Sequence, residues 1–335
     1  LINWLIFIGA LAVIFMTAKL RPASLKGRLL SLCAVMLGAT IIVSGSLRLV
    51  PGDPIDHILG DQAQSSSRDM LARDLGLLNE RGEPIGFVDQ YGHFLGSLVK
   101  NDIKSFTTRR NTLETVMARL PYTAALATAA MLVALLIGPF LGVMASFFRH
   151  RWPDHLFSVF ALVGISVPSF FLGPMLLLLF AIKWSLLPIS GSDDGLRSLI
   201  LPALAMGTAL AAMLARMSRA SMLEILSEDF VRTAQAKGLA PATVFFKHAL
   251  RNALIPVTTL IGLQFGAVLA GSVVTEKVFN WPGIGLLLLE AIQQLDMPLV
   301  QTCVLVIALI YAFINILTDI VYGLIDPRIS IGGSN

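Results

Sequence analysis

Long apolar runs, each about the length of a bilayer crossing, set the pattern of this chain. A hydrocarbon core of roughly 30 Å takes about 20 apolar residues as a helix. Segments of that kind lie near 1–18, 28–50, 121–148, 156–182, 199–215, 256–275 and 299–325. Asn3 and Trp4 leave the first only a short clean run, so it reads either as an extra span or as an interfacial helix. Two stretches break the pattern: residues 51–120 are polar, and residues 216–255 are basic. The expected architecture is an all-α polytopic membrane protein.

Within the spans, small residues recur at every fourth position. One series is Ala130, Ala134, Gly138, Gly142 and Ser146; a second is Ala203, Gly207, Ala211 and Ala215; a third is Gly262, Gly266 and Ala270. This spacing keeps each series on one helix face, where small side chains let backbones approach closely. Three such stripes predict a closely packed bundle. Pro139, Pro168, Pro174 and Pro202 also fall within spans and predict kinks.

Basic residues orient the spans. Lys19, Arg21, Lys26 and Arg28 cluster between the first two segments, and Arg149 and Arg151 lie between the third and fourth. Arg216, Arg219, Arg232, Lys237, Lys247 and Arg251 occupy the stretch between the fifth and sixth. The alternate loops, 183–198 and 276–298, hold only Lys183, Arg197 and Lys277. The richer loops are therefore expected in the cytoplasm, with 51–120 outside and Arg328 inside. Pro51, Gly52 and Pro54 end the helix before the external stretch, which reads as a small cap of short helices and loops.

The basic insertion is longer than a bundle connection needs. Ser221 and Glu224 form a capping-box pattern, and a helix is predicted from about 228 to Lys237. Gly238 tolerates the left-handed conformation that ends a helix. Pro241 fits the first turn of a second helix reaching about Leu254, and Pro256 marks entry into the next span. The product is a helix–glycine–helix elbow at the membrane surface. Ala234, Ala236, Gly238, Ala240 and Ala242 keep it slim, and Phe245 and Phe246 offer apolar anchors among the basic residues. Such a surface suits docking into a groove of another protein. It equally suits a basic amphipathic helix resting on anionic lipid.

Composition agrees with the pattern: 56% of residues are apolar and 14% charged, where a soluble domain carries about 25% charge. The formal charge is +4 and matters through its placement. Cys33 and Cys303 fall in apolar runs and form neither a disulfide framework nor a metal spacing. No GxxxxGK(S/T) phosphate cradle is present, so this chain is not expected to hydrolyse ATP. "WPGIG" lacks the third glycine of a dinucleotide fingerprint. Ser166 has no histidine within any span to act as its base, and reads as a polar residue satisfying backbone groups near a kink at Pro168. Asp319, one turn after Asn315, is the main charge in a span: a proton relay, or a group near the cytoplasmic end that reaches water. A proton-coupled secondary transporter using Asp319 and a non-transporting assembly subunit are the alternatives to an ATP-driven permease.

That permease reading comes from a resemblance. "VRTAQAKGL" and "HALRNALIP", at their separation, closely resemble the cytoplasmic coupling motif of ABC importer permeases of the dipeptide, oligopeptide and nickel class. "LRLVPGDP", "LPYTAALA", "GISVPSFFLG", "LPALAMG", "EKVFNWPGIGLLLLEAI" and "LTDIVYGLIDPR" resemble the same class, in order, over roughly residues 27–330. Against the wider family's EAA-x3-G-x9-I-x-L-P, only Ala234, Gly238 and Leu250 agree. Arg232 and Thr233 stand on Glu-Ala, His248 on the isoleucine and Arg251 on the proline.

The resemblance implies a six-helix permease core over 27–330, with 51–120 extracytoplasmic and 216–255 as the cytoplasmic coupling elbow. Residues 1–26 become an extra hydrophobic segment with a basic linker, and 331–335 a tail. It also implies partners: a second, homologous permease, two cytoplasmic ATPase subunits and an extracytoplasmic solute-binding protein, in a bacterial inner membrane. No cofactor and no nucleic acid are expected. Arg232, Thr233, Ala234, Lys237, Gly238, Leu239, His248, Leu250 and Arg251 become ATPase-coupling residues. Ser166, Pro168, Trp281, Pro282, Gly283 and Gly285 become candidates for the pathway or its gate, the glycines shaping a turn near the outer surface. Peptides, nickel and related solutes share one permease pattern, so the cargo is not legible.

Overall fold

The computed structural model describes residues 25–48, 52–60, 64–79 and 82–325. The predicted span at 1–18, Lys19, Arg21, Pro51 and Arg328 lie outside the described residues, as does the side chain of Asp319. Apart from two isolated bridges, the regular structure described is helical. Thr112–Phe147, Leu196–Ile225 and Met297–Thr318 are each long and apolar enough to cross a bilayer alone. Leu25–Leu47 and Leu250–Gly271 have 23 and 22 residues, or ~33 Å at 1.5 Å per residue.

The remaining span is broken. Trp152–Gly164 and Ser169–Lys183 meet at a bend of 100°. Proline supplies the reason: Pro168 has no N–H to donate and pushes the residue before it out of the α region. Val167 is accordingly extended, at φ −88° and ψ 113°. Pro202 and Pro256 behave differently, for both sit inside continuous helices. Pro256 therefore does not begin the helix that carries the expected span. The helix is continuous from Leu250, and a π-helical turn over Val244–Ala249 precedes it.

The chain forms two compact units. One takes in the chain up to Pro121 together with Leu286–Phe313. Here the polar stretch contributes the short helices Pro54–Leu59, Ser65–Asp74 and Phe87–Val99. Hydroxyls and amides pair across its helices: Tyr91 with Thr40 at 2.8 Å, Gln301 with Ser44 at 2.6 Å and Thr112 with Thr302 at 2.8 Å. Asp296 is fully buried. It accepts from the Ser105 hydroxyl at 2.5 Å and from the Phe106, Thr107 and Leu299 N–H groups at 3.1–3.3 Å. A buried carboxylate needs such a set of donors to offset its lost hydration.

The other unit takes in Tyr122–Gly285 together with the stretch from Ile314. In it the first two small-residue stripes face each other. A Cβ on Gly207 would fall 2.7 Å from the Ala130 carbonyl oxygen, one on Gly138 2.6 Å from that of Ala211, and one on Gly142 2.2 Å from that of Ala215. Residue numbers rise together along both helices, so Thr112–Phe147 and Leu196–Ile225 run parallel. Parallel neighbours cross a membrane in the same sense. The bent pair between them must then be a crossing, not a loop that returns to the face it left.

Residues that the charge bias assigns to one side also meet there. Arg219 clasps Asp154 and Phe147 lies edge-on to Phe245 on the basic side, while the Gly191 N–H reaches the Phe279 carbonyl on the other. Ser221 is a correction. Leu196–Ile225 runs straight through it, and its buried hydroxyl donates to the Ala253 carbonyl at 2.8 Å. The capping pattern is local, whereas the acceptor comes from a packed neighbouring helix.

Candidate functional site

The elbow starts where Leu196–Ile225 stops. Leu226, Ser227 and Glu228 turn the chain through N–H bonds to Met222, Glu224 and Ile225. A short helix, Asp229–Ala236, follows. Its end is closed by the Gly238 N–H to Gln235 at 2.9 Å and the Leu239 N–H to Ala234 at 3.4 Å. Gly238 has φ +77°, and a Cβ there would meet nothing within 4 Å. Its backbone conformation, not crowding, requires glycine. Pro241 opens the next helical turn, as its fixed φ favours.

One face of the elbow belongs to the membrane domain. Val231, Ala234 and Val244 form a small core with Leu226. Phe245 and Ala249 pack with Val143, Met222 and Ala253, and Leu250 leans on that cluster. Phe147, Phe245 and Phe246 form a ring group with centroids 4.9–5.6 Å apart. The other face is open. Arg232, Thr233, Lys237, Gly238, Leu239 and Arg251 are exposed, with Phe246. Arg232 makes a loose ion pair with Asp229 at 3.4 Å, the side chains 73% and 95% exposed, so the guanidinium stays available.

The predicted coupling set thus divides. Ala234 and Leu250 face inward and hold the elbow's shape, His248 is half-buried, and the rest face out. Phe245 is a correction: it is buried within the chain and is no outward anchor.

A second cluster forms around the loop after Val273–Phe279. Asn280 ends that helix at φ +50°, a region Asn tolerates better than most residues. Trp281 is buried, its indole N–H donating to the Tyr122 carbonyl at 2.8 Å. It packs with Leu126, Ala130, Met206 and Val268. Behind it lies Glu276, fully buried. The hydroxyls of Thr123 and Ser272 donate to Glu276 Oε1 at 2.9 and 2.8 Å, and the Ile284 N–H donates to Thr123 Oγ1 at 2.8 Å. A Cβ on Gly283 would fall 2.4 Å from the Glu276 carboxyl carbon, and one on Gly285 2.9 Å from its Oε2. The two glycines make room for a buried acid. Trp281, Gly283 and Gly285 are therefore buried within the chain, Pro282 is half-buried, and Ser166 and Pro168 are exposed. Ser166 donates back to the Leu162 carbonyl at 2.9 Å, closing the last turn before the break. The candidate pathway residues thus differ in exposure.

Over residues 134–331 the chain matches the family described as binding-protein-dependent transport system inner membrane component. Glutathione transport system permease proteins GsiC from Escherichia coli, Shigella dysenteriae and Pectobacterium atrosepticum are each 39% identical over 303 residues, 90% of this chain and 97% of theirs. The chain belongs to this family. It is a permease subunit of an ABC importer, and the Asp319-driven carrier and the non-transporting assembly subunit give way to that assignment. Structures of the MetNI methionine ABC transporter in inward-facing conformations give TM-scores of 0.52 and 0.50. They cover 63% of this permease and 96% of their own chain, at 16% and 15% identity, a likeness of fold alone.

Three buried acids of the permease, Asp154, Glu276 and Asp296, escaped the reading of the sequence. Glu276 left a trace, an acid seven and nine residues before the glycines of "WPGIG". Asp296 left a local trace too, since it stands just before the helix from Met297 and accepts from the Leu299 N–H, but its other donors lie about 190 positions away in the chain.

Proposed function

We propose that this permease forms half of the translocation path of an ATP-driven importer of small peptides, glutathione among them. A second, homologous permease completes the path, two ATPase subunits grip the elbows from the cytoplasm, and an extracytoplasmic binding protein delivers the cargo. ATP hydrolysis belongs to the ATPases. The observation that carries this reading is the two-faced elbow. Its inner face is built into the core of its own spans, while Arg232, Thr233, Lys237, Gly238 and Leu239 are exposed on the outer face. A push on that outer face bears directly on the helices carrying Val143, Met222 and Ala253. The relatives named for glutathione transport support the cargo class, and the same reading makes 51–120 extracytoplasmic and 216–255 the cytoplasmic stretch that contains the elbow.

Co-purification and uptake test it. The tagged permease is expected to bring down two nucleotide-hydrolysing subunits. In proteoliposomes with the binding protein outside, ATP inside is expected to drive uptake of labelled glutathione or a dipeptide. Recovery without any ATPase, or uptake indifferent to ATP, would contradict the reading.

A further inference from the structure

Between the elbow and the broken span lies an ion pair, its carboxylate buried and its guanidinium half-exposed, that neither the coupling residues nor the pathway candidates include. Asp154 sits in the first turn of Trp152–Ser166 and is buried. Arg219 projects from the last two turns of Leu196–Ile225, the helix that leads into the elbow. Its Nε and Nη2 donate to the two carboxylate oxygens of Asp154 at 2.9 Å each. A fork of this kind fixes orientation as well as distance. The His150 N–H donates to Asp154 Oδ2 at 3.2 Å, and the Ser158 hydroxyl to Oδ1 at 3.4 Å. His150 itself takes φ +61°, a conformation uncommon for a residue with a Cβ. The same carboxylate thus holds the turn after Phe147 and the helix that follows it.

The packing shows why this link matters. The cluster beneath Phe245 draws in Val143, Met222 and Ala253, from three helices, but none of the described side chains of Trp152–Ser166. That fourth helix is the one that leads to the break at Val167 and Pro168. It packs along Leu196–Ile225, closely enough at Gly164 that a Cβ there would lie 3.0 Å from Ala212 Cβ, and the Asp154–Arg219 fork ties its first turn to that helix. Apolar contact lets helices slide; a bidentate ion pair at the end nearest the elbow does not.

We propose that Asp154 and Arg219 are a positioning pair that carries displacement of the elbow into the broken span, so that import is tied to ATP hydrolysis. This rests on the elbow being the ATPase-binding element. Asp154→Asn keeps the volume of the side chain and removes its charge; Arg219→Lys keeps the charge and removes the fork. Each is assayed in the complete transporter in liposomes. The readouts are ATPase recovered with the permease and solute imported per ATP hydrolysed.

Recovery is expected to stay at the wild-type level while import per ATP falls at least about five-fold in both variants. The exchange of Asp154→Arg with Arg219→Asp is expected to regain part of that ratio. An unchanged ratio, or hydrolysis and import falling together, would overturn the pair's role and leave it a brace of the fold. If Asp154→Asn does not accumulate, Arg219→Lys carries the test alone. A wild-type permease that recovers no ATPase would instead sink the elbow reading, so the two failures are separable.

Discussion

Gly238 carries the strictest demand on residue type in the elbow. Its φ of +77° lies in open space, so a side chain there meets backbone strain and no clash. That strain is worth about 1–2 kcal/mol for an L-residue. Gly238→Val is expected to insert into the membrane normally and to lower import per ATP hydrolysed; import at the wild-type rate would remove the glycine's role as the hinge. Gly283 is the opposite case, since a methyl group there would press into the Glu276 carboxyl. Gly283→Ala is expected to cost about 1–3 kcal/mol, seen as a lower melting temperature of the detergent-solubilised permease.

The helices show which kinds of information lie in local sequence. Gly238 and Pro241 were legible because a φ preference and a missing N–H act within one or two residues. The stripes through Gly138 and Gly207 were legible because a period of four marks a face, although sequence did not say which faces meet. Ser221 was misread because Glu224 completes a local pattern while the true acceptor, the Ala253 carbonyl, lies 32 positions on. Phe245 was misread for a related reason: aromatic neighbours in a basic stretch look alike until Phe147 buries one of them. At the parallel crossing, Gly142→Leu is expected to force apart Thr112–Phe147 and Leu196–Ile225, because even a Cβ would lie 2.2 Å from the Ala215 carbonyl. Cysteine pairs placed across the two helices should then crosslink more slowly than in the unsubstituted permease.

For the whole permease, basic residues alone predict the orientation, and the parallel run of the two helices fits the order of crossings that this prediction assumes. A reporter fused after Lys26 should read cytoplasmic and one after Glu83 extracytoplasmic; the reverse pair would invert the topology. Mechanically, the elbow, its three packed helices and the Asp154–Arg219 link form one train from the elbow's exposed face to the break at Pro168. That train has a function only if something grips its outer face. Site-directed crosslinking from Lys237→Cys, in a Cys33→Ser background and in native membranes, decides this. A crosslinked product containing a nucleotide-hydrolysing subunit, with a yield that changes on adding ATP, is the expected result. Crosslinks to lipid alone, or none to any ATPase, would contradict it.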